Sequence, residues 1–254
     1  MGNLETIPPY TLDGKEYPAG RIIQGTQGLS RPYMLEFLQA QEVQDPILLE
    51  TDWLFVGHVD EIVQFLPAKN SRDWVMLVAD PHSGLEILKQ AQASGHGCTR
   101  VFSRQDDPEG NPPDIFHVPG GLHGVPDYSI DDLLAQDDFI LANDNFSARM
   151  KANIDILRTM MQTYTPSRIS LRAAAALYPA VINGVVLSDT QYLAPNPWGP
   201  IVDGRDIMAD VVKEVYKKAG FDLIFIDDWN SHHTWGGDVH CGTNMIRDGS
   251  RPWW

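Results

Sequence analysis

Residues 52–61 read DWLFVGHVDE, and this stretch sets the first expectations for the fold and for the chemistry. Its apolar and aromatic run from Trp53 to Val56 is typical of a strand, and a glycine then precedes His58 and Asp60. Alternate residues of a strand project to the same face. We therefore predict a strand over residues 53–61 with the His58 imidazole beside the Asp60 carboxylate, which would fix proton chemistry on a rigid element. The alternative is an ordinary edge strand with a polar outer face.

A second stretch, residues 236–244, reads GGDVHCGTN and contains the best nucleophile candidate, Cys241. A thiolate is the attacking species, so such a cysteine needs a positive neighbour or a base. We predict a strand over residues 239–246, on which His240 would point away from Cys241, and His58 is then the preferred partner. The alternative for Cys241 is a small buried apolar residue. We interpret Cys98 as structural.

Composition narrows the classes of function. The chain has 254 residues and a formal charge of −15, from 34 acidic and 19 basic residues, which argues against nucleic acid as a partner. No apolar run is long enough to cross a membrane, and the first residues lack the features of a signal peptide. Two cysteines do not form a disulfide framework, so we expect a reducing, cytoplasmic location.

Predicted strands and helices alternate along the chain, which indicates an α/β architecture. The continuous apolar run at 74–79 is typical of a strand buried on both faces. The other predicted strands are 47–49, 62–66, 180–187 and 221–226, and the main predicted helices are 31–43, 143–164 and 206–219. Residues 106–128, rich in Gly, Pro and Asp, are predicted to be a surface insertion.

Residues 57–61 together with 239–244 resemble the two catalytic segments of the protein-arginine deiminases. Further resembling stretches follow in the same order over essentially the whole chain: 2–5, 14–18, 20–22, 52–54, 95–97, 199–205 and 253–254. The resemblance implies one unit, residues 1–254, that is the C-terminal portion of a protein-arginine deiminase catalytic domain. It also implies an α/β propeller of the pentein type, a fan of ββαβ units, incomplete because the N-terminal part of that domain is missing.

The same resemblance implies calcium-dependent hydrolysis of peptidyl-arginine to peptidyl-citrulline and ammonia. Cys241 would attack the guanidinium carbon and form a thiouronium intermediate, and His58 would protonate the departing ammonia and then activate water. Asp60 would bind the guanidinium nitrogens, since a planar cation favours paired hydrogen bonds from a carboxylate. Asn183 matches a second substrate-binding position.

For Ca²⁺, the resemblance implies that Glu5 and the carbonyls of Leu4 and Met1 are ligands. Oxygen donors of this kind suit calcium. Taken alone, Glu5 would be interpreted as a solvated surface acid. The expected partners are arginine-containing protein substrates, together with a second copy of the chain or the missing N-terminal half.

Two other functions stay open at this point. One is an inactive fragment or a binding or regulatory relative, because a single carboxylate compensates a buried arginine head group poorly. The other is an enzyme acting on free arginine or agmatine with the same Cys, His and Asp chemistry, which would need no calcium. For the isolated chain we expect little or no deiminase activity.

Overall fold

The computed structural model of the chain describes residues 2–28, 30–42, 45–69, 73–105, 125, 127–161, 167–169 and 178–244. The strands are β1 Leu4–Ile7, β2 Tyr10–Leu12, β3 Lys15–Tyr17, β4 Arg21–Thr26, β5 Ile47–Glu50, β6 Val63–Pro67, β7 Trp74–Ala79, β8 Ser167–Ile169, β9 Val185–Val186, β10 Gln191–Pro195, β11 Ile201–Val202, β12 Arg205–Asp206 and β13 Asp222–Ile226. The α-helices are α1 Tyr33–Ala40, α2 Pro81–Ala91, α3 Ile130–Leu134, α4 Asp137–Met161 and α5 Ile207–Lys218. Shorter helical turns are Val59–Glu61, Gln92–His96, His233–Trp235 and His240–Gly242.

Three of the described sheets are ββαβ units, and two smaller ones, β2–β3 and β11–β12, are antiparallel pairs. In each unit an antiparallel pair of strands is followed by helix and then by a strand parallel to the second one: β1–β4–β5, β6–β7–β8 and β9–β10–β13. The mixed α/β class predicted from the sequence is confirmed. Within the described ranges the sheets stay separate, so the pentein propeller remains a prediction.

The long elements follow their apolar patterns. β7 is the central strand of its sheet and is almost wholly buried, as its continuous apolar run predicted. α4 buries one stripe that includes Met150, Ile154 and Leu157. In α1, Leu35 and Leu38 are buried, whereas Phe37 is 60% exposed.

Helix α5 and the sheet beneath it hold the loop 178–184 in place. Asp206 caps α5 by accepting the backbone N–H groups of Met208 and Ala209, both at 2.9 Å. The ring of Tyr216 stacks on that of Tyr192 with centroids 4.6 Å apart, and the Tyr192 hydroxyl donates to the Ile182 carbonyl at 2.9 Å. The loop is therefore tied to the buried centre of the third unit.

The strand predicted over residues 53–61 is wrong. Gly57 has a φ of +81°, and the Thr51 hydroxyl donates to the Gly57 carbonyl at 2.7 Å, so the chain turns back instead of extending. A short 3₁₀ turn, Val59–Glu61, follows.

The other predicted strands around the site were too long. Residues 240–242 form a 3₁₀ turn where a strand was predicted over 239–246, whose last two residues lie outside the described ranges. Of the strand predicted over 180–187, only Val185–Val186 is extended and paired. Most of the predicted insertion 106–128 also lies outside the described residues, and no described helix is long and apolar enough to span a bilayer.

Candidate active site

Three irregular segments converge on one place: the turn Val59–Glu61, the loop 178–184 and the turn His240–Gly242. The Asp60 N–H donates to the Gly2 carbonyl at 3.0 Å, which ties the first of these turns to the beginning of the chain. The Asp60 carboxylate packs against Gly2 so closely that a Cβ there would lie 2.4 Å from Oδ2. Asp60 is 4% exposed, so its charge is held in a largely dry environment.

Cys241 lies beside Asn183 and Asp60. Its Sγ is 3.5 Å from Asn183 Oδ1 and 4.0 Å from Asp60 Oδ2, and its N–H donates to Asn183 Oδ1 at 3.4 Å. Asn183 Nδ2 approaches the Asp60 carbonyl at 3.5 Å. The structure thus brings together three of the predicted site residues, while their roles in catalysis and binding remain predictions.

The imidazole next to Asp60 belongs to His240, whereas His58 was the predicted neighbour. His240 Nδ1 is 2.7 Å from Asp60 Oδ2. The predicted strand would have sent His240 and Cys241 to opposite faces. On a 3₁₀ turn, with three residues per turn, neighbouring side chains are only about 120° apart, so both can reach the same carboxylate.

His58 lies at the N-terminal end of the turn that carries Asp60. Its backbone N–H donates to Glu61 Oε1 at 2.8 Å, and its carbonyl accepts the Glu61 N–H at 3.3 Å. Among the described residues, no hydrogen bond joins the His58 ring to Asp60 or Cys241. The predicted side-by-side placement on a strand was therefore wrong, because the strand is absent. The catalytic role of His58 stays a prediction.

The charges of the site favour a neutral thiol beside an imidazolium–carboxylate pair. Although the Cys241 residue as a whole is exposed, its sulfur packs against Asn183 and Asp60, and this partial desolvation raises the pKa of the thiol. The negative charges of Asp60 and Asp238 raise that pKa further, while the Asp238 backbone N–H lowers it. The hydrogen bond from Asp60 raises the pKa of His240, against the effect of burial. Asp60 Oδ1 is buried without a hydrogen-bond partner among the described residues, so it can accept a donor from a cation.

The residues predicted to bind calcium fit a hard cation by donor type. The Gly25 N–H donates to the Asn3 carbonyl at 3.4 Å, so in this antiparallel pairing the Leu4 carbonyl points away from β4, toward the open edge of the sheet. Glu5 Oε1 lies 4.0 Å from His240 Nε2, and Met1 lies outside the described residues. No group of three or more metal-binding side chains occurs among the residues that the structure covers, and the two described donors fall short of the roughly six to eight oxygens calcium takes.

The architecture and the site together define an α/β protein with an exposed cysteine set on a turn beside a buried carboxylate. A family profile described as "Protein-arginine deiminase (PAD)" matches residues 1–254. The chain belongs to the protein-arginine deiminase family.

Several relatives carry that name. The chain is 32% identical over 269 residues to human protein-arginine deiminase type-3, with 100% of this chain and 38% of the relative covered. It is 32% identical over 276 residues both to mouse protein-arginine deiminase type-4 and to human protein-arginine deiminase type-1, with the same coverage of 100% and 38%. The chain thus spans 38% of the length of these relatives.

Proposed function

We propose that this chain carries the nucleophile and one substrate-binding carboxylate for hydrolysis of peptidyl-arginine to peptidyl-citrulline and ammonia. The observation that carries the proposal is the 4.0 Å approach of Cys241 Sγ to Asp60 Oδ2. A sulfur at that distance can attack the carbon of a flat cation whose nitrogens donate to the carboxylate. The names of the relatives support the reaction class.

Asp60 would recognise the guanidinium. A buried carboxylate with one unpartnered oxygen is poorly compensated by itself, and a guanidinium presents donors in a fixed fork that match it. Occupying Asp60 with a cation would also offset one of the charges that raise the Cys241 pKa. Substrate binding would therefore favour the thiolate that the reaction needs.

The reaction proceeds in two stages. The thiolate forms a C–S bond to the guanidinium carbon, the C–N bond breaks, and ammonia leaves with a proton from an imidazole. A water molecule then gives one proton to that imidazole while its hydroxyl adds to the same carbon. The C–S bond breaks, the added hydroxyl loses its proton to solvent, and citrulline and the thiolate are released. We assign the proton transfers to His58, whereas His240 would hold the unoccupied Asp60 carboxylate and move aside for the substrate.

Calcium is proposed to bind at the beginning of the chain. Glu5 and the carbonyls of Leu4 and Met1 would hold it, and when bound it would supply positive charge near a site rich in carboxylates. Glu5 and His240 are 4.0 Å apart, so neutralising Glu5 would weaken the hold on the His240 ring. Arginine-containing proteins are the proposed substrates.

Ammonia release from an arginine peptide, with and without calcium, tests the reaction on the full chain. Any turnover, which we expect to be small for this chain alone, must disappear in Cys241→Ala and persist in Cys98→Ala, which changes the other exposed cysteine. Turnover that survives Cys241→Ala would contradict the proposal. Calcium-independent turnover of free arginine, without turnover of the peptide, would favour the free-arginine or agmatine enzyme instead.

Labelling of Cys241 separates binding chemistry from turnover. A haloacetamidine carries the charge and shape of a guanidinium, whereas iodoacetamide is neutral. We expect Cys241 to prefer the cationic reagent and Asp60→Asn to abolish that preference. Equal labelling by both reagents in the unmodified chain would remove Asp60 from the proposed role, even if the chain shows no turnover.

A further inference from the structure

The backbone of residues 237–238 passes directly over the Cys241 side chain. A Cβ added to Gly237 would lie 3.1 Å from Cys241 Cβ and 3.5 Å from Sγ. The backbone N–H of Asp238, in the same segment, lowers the pKa of the thiol. The position of the thiol therefore depends on where this short segment is held.

The side chain of Asp238 anchors that segment. It is 5% exposed, and each carboxylate oxygen has a partner: Oδ2 accepts the Ala180 N–H at 2.8 Å, and Oδ1 faces His233 Nδ1 at 3.1 Å. His233 is itself buried, with its ring 4.7 Å from that of Trp229. A buried carboxylate that keeps two partners is held in one orientation.

A chain of hydrogen bonds leads from Ala180 back to the cysteine. The Ala180 carbonyl accepts the Asn183 N–H at 2.7 Å, and Asn183 Oδ1 accepts the Cys241 N–H at 3.4 Å. The Asn183 carbonyl also accepts the His240 N–H at 3.0 Å. Because the backbone joins Asp238 to Cys241 three residues further on, these bonds close a ring through Asp238, Ala180, Asn183 and Cys241.

We propose that Asp238 is a positioning residue whose carboxylate closes this ring and thereby holds the Cys241 sulfur against Asn183 and Asp60. The inference rests on the proposed role of Cys241 as the nucleophile. Asp238 acts through the backbone and the loop 178–184, because its carboxylate is occupied by Ala180 and His233.

A positioning role and a simple charge effect predict opposite signs. If Asp238 were only a nearby negative charge, its removal would lower the pKa of the thiol. If it holds the ring closed, Asp238→Ala loosens the segment 237–238 and the loop 178–184. These carry the two groups that lower the pKa of the thiol, the Asp238 N–H and the Asn183 side chain, so that pKa rises. Asp238→Asn keeps an oxygen for the Ala180 N–H while it removes the charge, so it should leave the pKa unchanged or lower it.

The experiment is the pH dependence of iodoacetamide alkylation in the full chain with Cys98→Ala, in which Cys241 is the only thiol of the two-cysteine sequence. We expect Asp238→Ala to raise the apparent pKa by about one unit, which slows alkylation at pH 7 about tenfold. Asp189→Asn, which removes an exposed carboxylate in the turn between β9 and β10, is the matched control and should change neither quantity. An unchanged or lower thiol pKa in Asp238→Ala would overturn the proposal.

Hydrogen exchange on the parent chain keeps the test decisive if Asp238→Ala does not fold. Alkylation adds bulk to the sulfur and should displace segment 237–238, so the amides of Ala180 and Asn183 should exchange faster afterwards. Unchanged exchange there would overturn the proposal. Neither measurement needs substrate or calcium, so a chain that fails to turn over arginine can still pass both, and failure of the two ideas can be told apart.

Discussion

Asp228→Asn should stabilise the fold increasingly as the pH rises. Asp228 is 2% exposed, and both of its carboxylate oxygens are buried without a hydrogen-bond partner in the described part of the chain. Burial, helped by the negative charge of Asp238, raises the pKa of Asp228 from 3.8 to about 8. The folded chain therefore keeps a proton on this group at neutral pH, whereas the unfolded chain loses it near pH 4.

The sign and size of the effect follow from that difference. Because the folded state binds the extra proton, the contribution of Asp228 to stability is present below the unfolded pKa and is lost as the pH rises toward about 8. The loss is about 1.4 kcal/mol per pH unit within this window, or about 3 to 4 kcal/mol between pH 5 and pH 8. An asparagine cannot ionise, so the variant escapes this loss.

Urea unfolding followed by tryptophan fluorescence at pH 5, 6, 7 and 8 measures the effect. The free energy of unfolding of Asp228→Asn, relative to the parent, should increase by that amount across the series. Asp222→Asn, at the exposed first residue of β13, is the control and should give a difference that does not vary with pH. A flat difference for Asp228→Asn as well would refute the reasoning, since it would mean that the carboxyl ionises in the fold as it does in water.

Two further predictions concern the supports of the site. Tyr192→Phe removes the buried hydroxyl that donates to the Ile182 carbonyl, so the free energy of unfolding should fall by about 1 kcal/mol. The control Tyr33→Phe, on a side chain that is 96% exposed, should leave the free energy of unfolding unchanged. Equal losses in the two variants would contradict a stabilising hydrogen bond from Tyr192. Glu5→Gln removes a proposed calcium ligand, so isothermal calorimetry should show a calcium affinity at least tenfold lower than that of the parent. Unchanged affinity would exclude Glu5 as a ligand.

Local patterns were enough to predict the long elements and the mixed α/β class. An apolar run such as β7, or a helical stripe such as that of α4, depends on residues near one another in the chain, and burial follows the same periodicity. The three ββαβ units were not visible as a sequence repeat, because strand order arises from pairings between distant segments. The fan of ββαβ units was predicted only from the family resemblance, and the closure of these units into a propeller remains a prediction.

For the site as well, local sequence predicted which residues take part, whereas tertiary contacts decided how they are arranged. Residue type and spacing were sufficient to single out Cys241 and Asp60, and the family resemblance added Asn183. The structure brings Asn183 Oδ1 to 3.5 Å and Asp60 Oδ2 to 4.0 Å from the Cys241 sulfur. The sequence could not show that His240, 180 residues from Asp60, is the ring that binds its carboxylate. That contact depends on two turns, one after the positive φ of Gly57 and one at residues 240–242, where strands were predicted. Side-chain direction changes with backbone conformation, and in these short segments tertiary hydrogen bonds, not local propensity, determined the conformation.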